Sequence, residues 1–300
     1  AALVSQGKDA TGDFPSWAPG LLFNLRIPRI VMALSAGAAL SCAGASFQGI
    51  FRNPLAEPYL LGVSAGAALG GTIAILFKPL QVLSIYRVPI FAFVGASLAA
   101  FLVYRLATFS GRTGSSALLL AGVAVGSTLT AIMSFIMVAT EKDLHTVIVW
   151  LMGGLGASTW PKVLIVLPVT AMASAYLWLM SRHLNLLLLG EERAQQLGID
   201  SYKTRRNVML VASLVTAAAV AFTGLIGFVG LMVPHIMRLI VGPDHRRLLP
   251  ATALFGGFLL LLADTIARTA LAPAEIPVGV ITAACGGPFF LYLLRTHRGV

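Results

Sequence analysis

Ile27-Pro-Arg-Ile-Val-Met-Ala-Leu-Ser-Ala-Gly-Ala-Ala-Leu-Ser-Cys-Ala-Gly-Ala-Ser-Phe-Gln-Gly-Ile50 is an unbroken run of apolar and small residues whose one charge, Arg29, stands near its start. A helix needs ~20 mostly apolar residues to cross hydrocarbon, so positions 27–50 read as a transmembrane span. Within it Ala33, Gly37, Ser41, Ala45 and Gly49 recur every four residues and form one narrow helix face. Such a face lets another backbone approach closely. It serves either general helix packing or a surface near a passage, where helices slide during opening.

Outward from this run the same reading applies at 59–77, 88–108, 116–139, 162–181, 206–224, 228–241, 250–267 and 277–294. Gly62, Gly66 and Gly70 repeat the small-residue spacing in the second stretch. The stretch 228–241 is short and contains Pro234, so it is expected inside the bundle, where neighbours satisfy the backbone groups that proline frees. The fold class is an all-α polytopic transmembrane bundle of nine spans in one domain over residues 1–300. Composition agrees: 58% of residues are hydrophobic, 11% are charged and the mean hydropathy is +0.89. The charged share is roughly half that of a soluble domain.

The net charge of +10 does not point to nucleic acid, because Lys and Arg lie between apolar runs and form no patch with interleaved aromatics. Counted over alternate loops, 13 of the 21 Lys and Arg fall on the side of the C-terminus and of the largest basic loop, 182–206. The positive-inside rule makes that side cytoplasmic. An N-terminus on the outer face suggests that one further span precedes residue 1, giving ten. No signal peptide is visible, and Cys42 and Cys285 stand in apolar runs with no metal or redox spacing.

Chemistry-bearing patterns are few. No Asp, Glu or His sits convincingly at mid-span, where an ion-coupled carrier needs a ligand. Asp264 comes nearest, one turn before Arg268 at a spacing suited to an ion pair. Gly7-Lys8 lacks the glycine spacing of a phosphate-cradling loop, so ATP, if used, binds elsewhere. No catalytic elbow, metal-binding helix pair or Cys/His cluster occurs. The loop 182–206 is the most informative polar piece. Gly190-Glu-Glu-Arg-Ala-Gln-Gln-Leu-Gly198 reads as a short helix with Glu191 and Glu192 in its first turn, Ala194 and Leu197 on one face, and Gly198 as its stop. A second basic turn, Asp200 to Arg206, follows at a right-angle bend, and the two short helices look like a docking surface, with a solvated connector as the alternative.

Several motifs then occur together: Leu25-Arg-Ile-Pro-Arg29, Arg52-Asn-Pro-Leu-Ala-Glu-Pro58, Leu61-Gly-Val-Ser-Ala-Gly66, Leu118-Leu-Leu-Ala-Gly122, Trp150-Leu-Met-Gly153, the 190–198 segment, Val233-Pro-His-Ile236, and Asp264 through Arg268 to Pro273-Ala-Glu-Ile-Pro-Val-Gly279. In this order they resemble the permease subunits of ABC importers for iron-siderophores, haem and cobalamin, over almost the whole chain. The resemblance implies ten spans per subunit, a homodimer around a central passage, two ATP-binding subunits that carry ATP and Mg, and a periplasmic or extracellular substrate-binding protein. It implies that this chain is no enzyme and holds no cofactor or metal, and that the bilayer is a bacterial or archaeal cytoplasmic membrane.

Residue by residue, the resemblance assigns ATPase coupling to Gly190, Glu191, Glu192, Arg193, Ala194, Leu197, Gly198, Arg205 and Arg206. It assigns a cytoplasmic gate to Asn53, Leu55, Ser115 and Ser116, and binding-protein docking to Arg26, Arg29 and Arg268. The cargo it implies is cobalamin, haem or a ferric siderophore, with the motifs a little closer to the cobalamin and haem permeases. An ion-coupled secondary carrier is the alternative, and a structural or receptor-like membrane protein the third reading.

Overall fold

The computed structural model describes residues 18–109, 115–140 and 143–296. Every regular element among them is helical. Helix α1 (Ile27–Phe51), extended at its start by the turns Ala18–Leu21 and Leu22–Arg26, is followed by α2 (Val63–Phe77), α3 (Arg87–Phe109), α4 (Ser115–Thr140) and the short α5 (Leu144–Leu151). Then come α6 (Trp160–Leu179), α7 (Ser181–Leu188), α8 (Glu191–Gln196), α9 (Ser201–Thr223), α10 (Val229–Val241), α11 (His245–Thr269) and α12 (Val278–Thr296).

Helix α1 is the axis of the bundle, because its small residues let neighbours close in on every side. It packs against α6, α9, α10 and α11, and Ala33, Ala36, Ala39, Ala43, Ala45 and Phe47 are fully buried. The Gly37 and Ser41 face meets Gly256 on α11, and Gly49 meets the His245 ring at the start of that helix. The Gly62, Gly66 and Gly70 face lies likewise on α3, against Ala99, Gly95 and Phe91. Both small-residue faces therefore serve packing within the chain. A Cβ on Gly44 would run into the backbone of Gly230, which marks the tightest approach of α1 to α10.

Among the described residues, six helices are long and apolar enough to cross a bilayer on their own: Pro19–Phe51, α3, α4, α6, α9 and α11. The sequence reading of nine spans is met at full length only by these. The other three apolar segments, Val63–Phe77, Val229–Val241 and Val278–Tyr292, are shorter. Two of them are preceded by segments that are not α-helical and are largely covered by protein. Before α2 runs the turn Pro58–Leu61, with Pro58 and Leu61 buried. Before α10 runs 224–228, where Ile226 is 1% exposed. The Tyr59 hydroxyl joins these two segments by donating to the Ile226 carbonyl at 2.9 Å and accepting from its N–H at 3.3 Å. Helix α10, with Pro234 buried, lies inside the bundle as its short proline-containing sequence foretells.

Two eight-residue helices escaped the sequence reading. Helix α5 falls between apolar stretches and is too short for a span, while α7 occupies the first half of the loop 182–206. The basic turn from Asp200 to Arg206 is no separate helix but the opening of α9. Of the two cysteines, Cys42 is buried and Cys285 is exposed. Replacing Gly44 with Val should lower stability by about 1–3 kcal/mol, the usual cost of overpacking a tight contact. Thermal unfolding of the detergent-solubilised protein measures this, and an unchanged melting curve would mean that α1 and α10 do not touch there.

Candidate docking, passage and coupling sites

One end of the bundle gathers the start of α1, the last turns of α11 and the segment entering α12. There Arg29 grips Asp264 through Nε, at 3.1 and 3.0 Å from the two carboxylate oxygens, and through Nη2 at 2.8 Å. Its Nη1 donates to both oxygens of Glu275, at 3.0 and 2.9 Å. Arg268 completes the group with Nε 3.3 Å from Asp264, an ion-pair distance. Two guanidinium groups and two carboxylates thus balance. Asp264 is fully buried, whereas the Glu275 side chain is 49% exposed. The i,i+4 pairing of Asp264 with Arg268 is present as the spacing suggests. Arg29 and Arg268, assigned to docking by resemblance, both have partners within the chain. Arg26 is half-buried and makes no ion pair among the described residues.

Beside this cluster a cavity of about 420 Å³ opens between α5, the turn at 152–157 and the start of α12, with Arg29 and Glu275 in its wall. A second cavity, about 620 Å³, lies between α2 and α4. Tyr59, Ser64, Ser127, Thr130 and Ser134 give it hydroxyl groups, and among the described residues no charged side chain lines it.

The opposite end carries the polar connectors. Helix α8 ends as its sequence foretells: Gly198 has a φ of +82°, its N–H reaches the Gln195 carbonyl, and the Ile199 N–H reaches that of Ala194. This double closure satisfies carbonyls that a helix end leaves free. Ala194 is fully buried and fastens α8 to the bundle, while Leu197, the residue that caps its end, is 58% exposed. Arg205 turns inward and pairs with Glu191, so it braces α8 against α9. Glu192, Arg193 and Gly198 are exposed, and the Gly190 backbone, at a φ of +109°, lies next to Arg52. The Nε of Arg206 bonds the Asn207 side chain.

Two aspartates cap helices at this end. Asp200 accepts from the Lys203 backbone N–H at 2.9 Å, which with the Lys203 side chain holds its carboxyl below the usual carboxylate range. Asp244 takes the N–H of Arg246 and the amide of Asn185, with the same consequence. Nearby, Asn53 accepts from the Leu55 N–H at 2.9 Å and shapes the turn after α1, leaving Leu55 41% exposed. Ser116 is exposed in the first turn of α4. Ser115 opens that helix, but its side chain lies outside the described residues.

Residues 4–296 match the FecCD transport family. The chain belongs to that family. Among relatives of this FecCD chain, the cobalamin import system permease protein BtuC of Halobacterium salinarum is 50% identical over 284 residues, covering 95% of this chain and 76% of the relative. The hemin transport system permease protein HmuU of Yersinia pestis is 40% identical over 278 residues, covering 92% of this chain and 83% of its own. A solved metal-chelate-type ABC transporter in an inward-facing conformation superposes with a TM-score of 0.84 at 35% identity, over 98% of this chain and 95% of that one.

Sequence reasoning on this FecCD chain missed the partnership of Arg29 with Asp264, 235 residues apart. The available signal was Asp264 itself, since an acid inside a long apolar helix calls for a charged partner within the bundle. Asp264→Asn should cost about 3–5 kcal/mol, because it leaves the Arg29 charge buried beside a neutral amide. Arg26→Glu should change stability by under about 0.5 kcal/mol. Equilibrium unfolding in mixed micelles checks both, and equal effects would show that the cluster does not hold the helices.

Proposed function

We propose that this chain is the membrane permease subunit of an ATP-driven importer that passes a metal chelate, in the class of cobalamin, haem or a ferric siderophore, across a bacterial or archaeal cytoplasmic membrane. The observation that carries the reading is α8, a short polar helix fastened to one end of an apolar bundle by Ala194 and the Glu191 to Arg205 pair. Its exposed Leu197, Glu192 and Arg193 suit a soluble subunit that binds and hydrolyses ATP with Mg, chemistry for which this sequence offers no phosphate loop. The basic loops at that end support its placement in the cytoplasm.

In this reading the six long helices and the three shorter ones make nine traverses, α2 and α10 completing theirs through the irregular segments before them. The whole chain acts as one permease domain. A second copy covers α4, whose Leu120, Val123, Phe135 and Val138 are 73%, 62%, 74% and 77% exposed. The hydroxyl-lined cavity on the same helix contributes to the passage wall, and Asn53, Leu55, Ser115 and Ser116 narrow its cytoplasmic end. A soluble substrate-binding protein docks at the opposite end, near Arg26, Arg29 and Arg268. Ion-coupled transport is not favoured, because Asp264, the acid inside a long helix, is already neutralised by two arginines.

Reconstituted with its ATPase subunits and binding protein, the chain should take up a chelate only with ATP, and the isolated chain should hydrolyse none. Ala194→Pro, which breaks α8, should reduce uptake at least about tenfold while hydrolysis by the ATPase subunits persists. Uptake driven by an ion gradient without those subunits would overturn the reading.

A further inference from the structure

Arg29 holds two carboxylates that differ in one respect. Asp264 sits on a helix with no exposure, while Glu275 is half-exposed on the irregular segment 271–277 between α11 and α12. A charge pair sealed in protein exchanges with difficulty, whereas one that reaches solvent contributes little and can be replaced. The Nη1 edge of Arg29 is therefore the exchangeable edge of the cluster.

The surroundings leave that edge approachable. Arg29 and Glu275 both line the 420 Å³ cavity. Gly156 lies over the pair, and a Cβ there would stand 3.6 Å from Glu275 Oε2 and 3.9 Å from Arg29 Nη1. With hydrogen in that place, the guanidinium edge has no side chain of residue 156 across it. Charge sets the terms of entry. Arg29, Arg268, Asp264 and Glu275 sum to zero, so an incoming acid finds no spare cation in the cluster. It gains a charge-assisted, two-oxygen bond to Nη1 only by taking the place of Glu275.

What Glu275 does when displaced follows from its position. The segment it tethers returns to α11 through the Ile276 N–H, which donates to the Ala267 carbonyl at 3.0 Å, and then enters α12 at Val278. At the head of α12, Gly279 is seated against the carbonyls of Met152 and Leu225. Helix α12 in turn packs on α10 and α11. Release of Glu275 removes the one side-chain tie, among the described residues, between this segment and α1.

We infer that Glu275 is a built-in stand-in for an acidic side chain of the docking partner. A carboxylate of the soluble binding protein replaces it on Arg29, and that exchange loosens the segment leading into α12. This rests on the delivery reading under Proposed function and adds the internal competitor to it.

The test uses the assembled importer, permease with its ATPase subunits in lipid nanodiscs, and its soluble binding protein loaded with cyanocobalamin. Glu275→Gln keeps the shape of the side chain and removes the competing charge. It should tighten binding about fivefold at low salt, and the gain should shrink as salt screens the contact. Glu275→Asp, which keeps a carboxylate, should return affinity toward wild type. A spin label at Ala274→Cys, with Cys42 and Cys285 changed to Ala, reads the segment directly with Glu275 intact. Its mobility should rise when the binding protein is added, and should already be high when Glu275→Gln is combined with it. Unchanged or weaker binding by Glu275→Gln, or a label indifferent to the binding protein, overturns the exchange while leaving the importer reading in place. If the binding protein fails to bind even the wild-type importer, the delivery reading falls and the exchange falls with it.

Discussion

Hydrocarbon offers no partner to a peptide N–H or carbonyl, and each such group left unpaired in it costs several kcal/mol. Regular helix is the direct answer, and six helices among the described residues are long and apolar enough to give it. The segments before α2 and α10 need another, because there the backbone leaves the helical pattern within the bundle. They run through protein, and the Tyr59 hydroxyl serves both the donor and the acceptor of Ile226. A single phenol thus ties together the segments that lead into the two short helices α2 and α10.

The same constraint governs how closely the helices approach. Lipid tails are as apolar as the side chains they would replace, so contact between helices depends on packing, and small residues permit the most of it. Helix α1 meets α11 at Gly37 and Gly256 and meets α10 at Gly44 and Gly230. Having spent its small faces on these contacts, α1 becomes the buried axis. Helix α4, with Leu120, Phe135 and Val138 turned outward, is left on the perimeter.

Charge is divided by depth and by end. At one end the four-residue cluster ties α1 to α11 and to the entry of α12, balanced and mostly sealed. At the other Glu192 and Arg193 are exposed, while Arg205 turns inward to pair with Glu191 and hold α8. The first arrangement resists solvent, and the second presents a surface to it.

The sequence by itself determined the elements whose signals are local. Apolar runs longer than a bilayer is thick, the Gly198 stop of α8, the buried place of α10 with its Pro234, and the Asp264 to Arg268 spacing all depend on neighbours within a few turns. So does the absence of a phosphate loop. Tertiary structure alone decided the rest. Glycines spaced by four show that a face is narrow but not which helix fills it, and here α11 and α3 do. Arg29 and Glu275 stand 246 positions apart, and no local period links them. Arg205 reads as one more basic residue until the fold of α8 brings Glu191 against it. A side chain's partner across the bundle is fixed by how all the helices pack together, and that packing is a property of the whole chain.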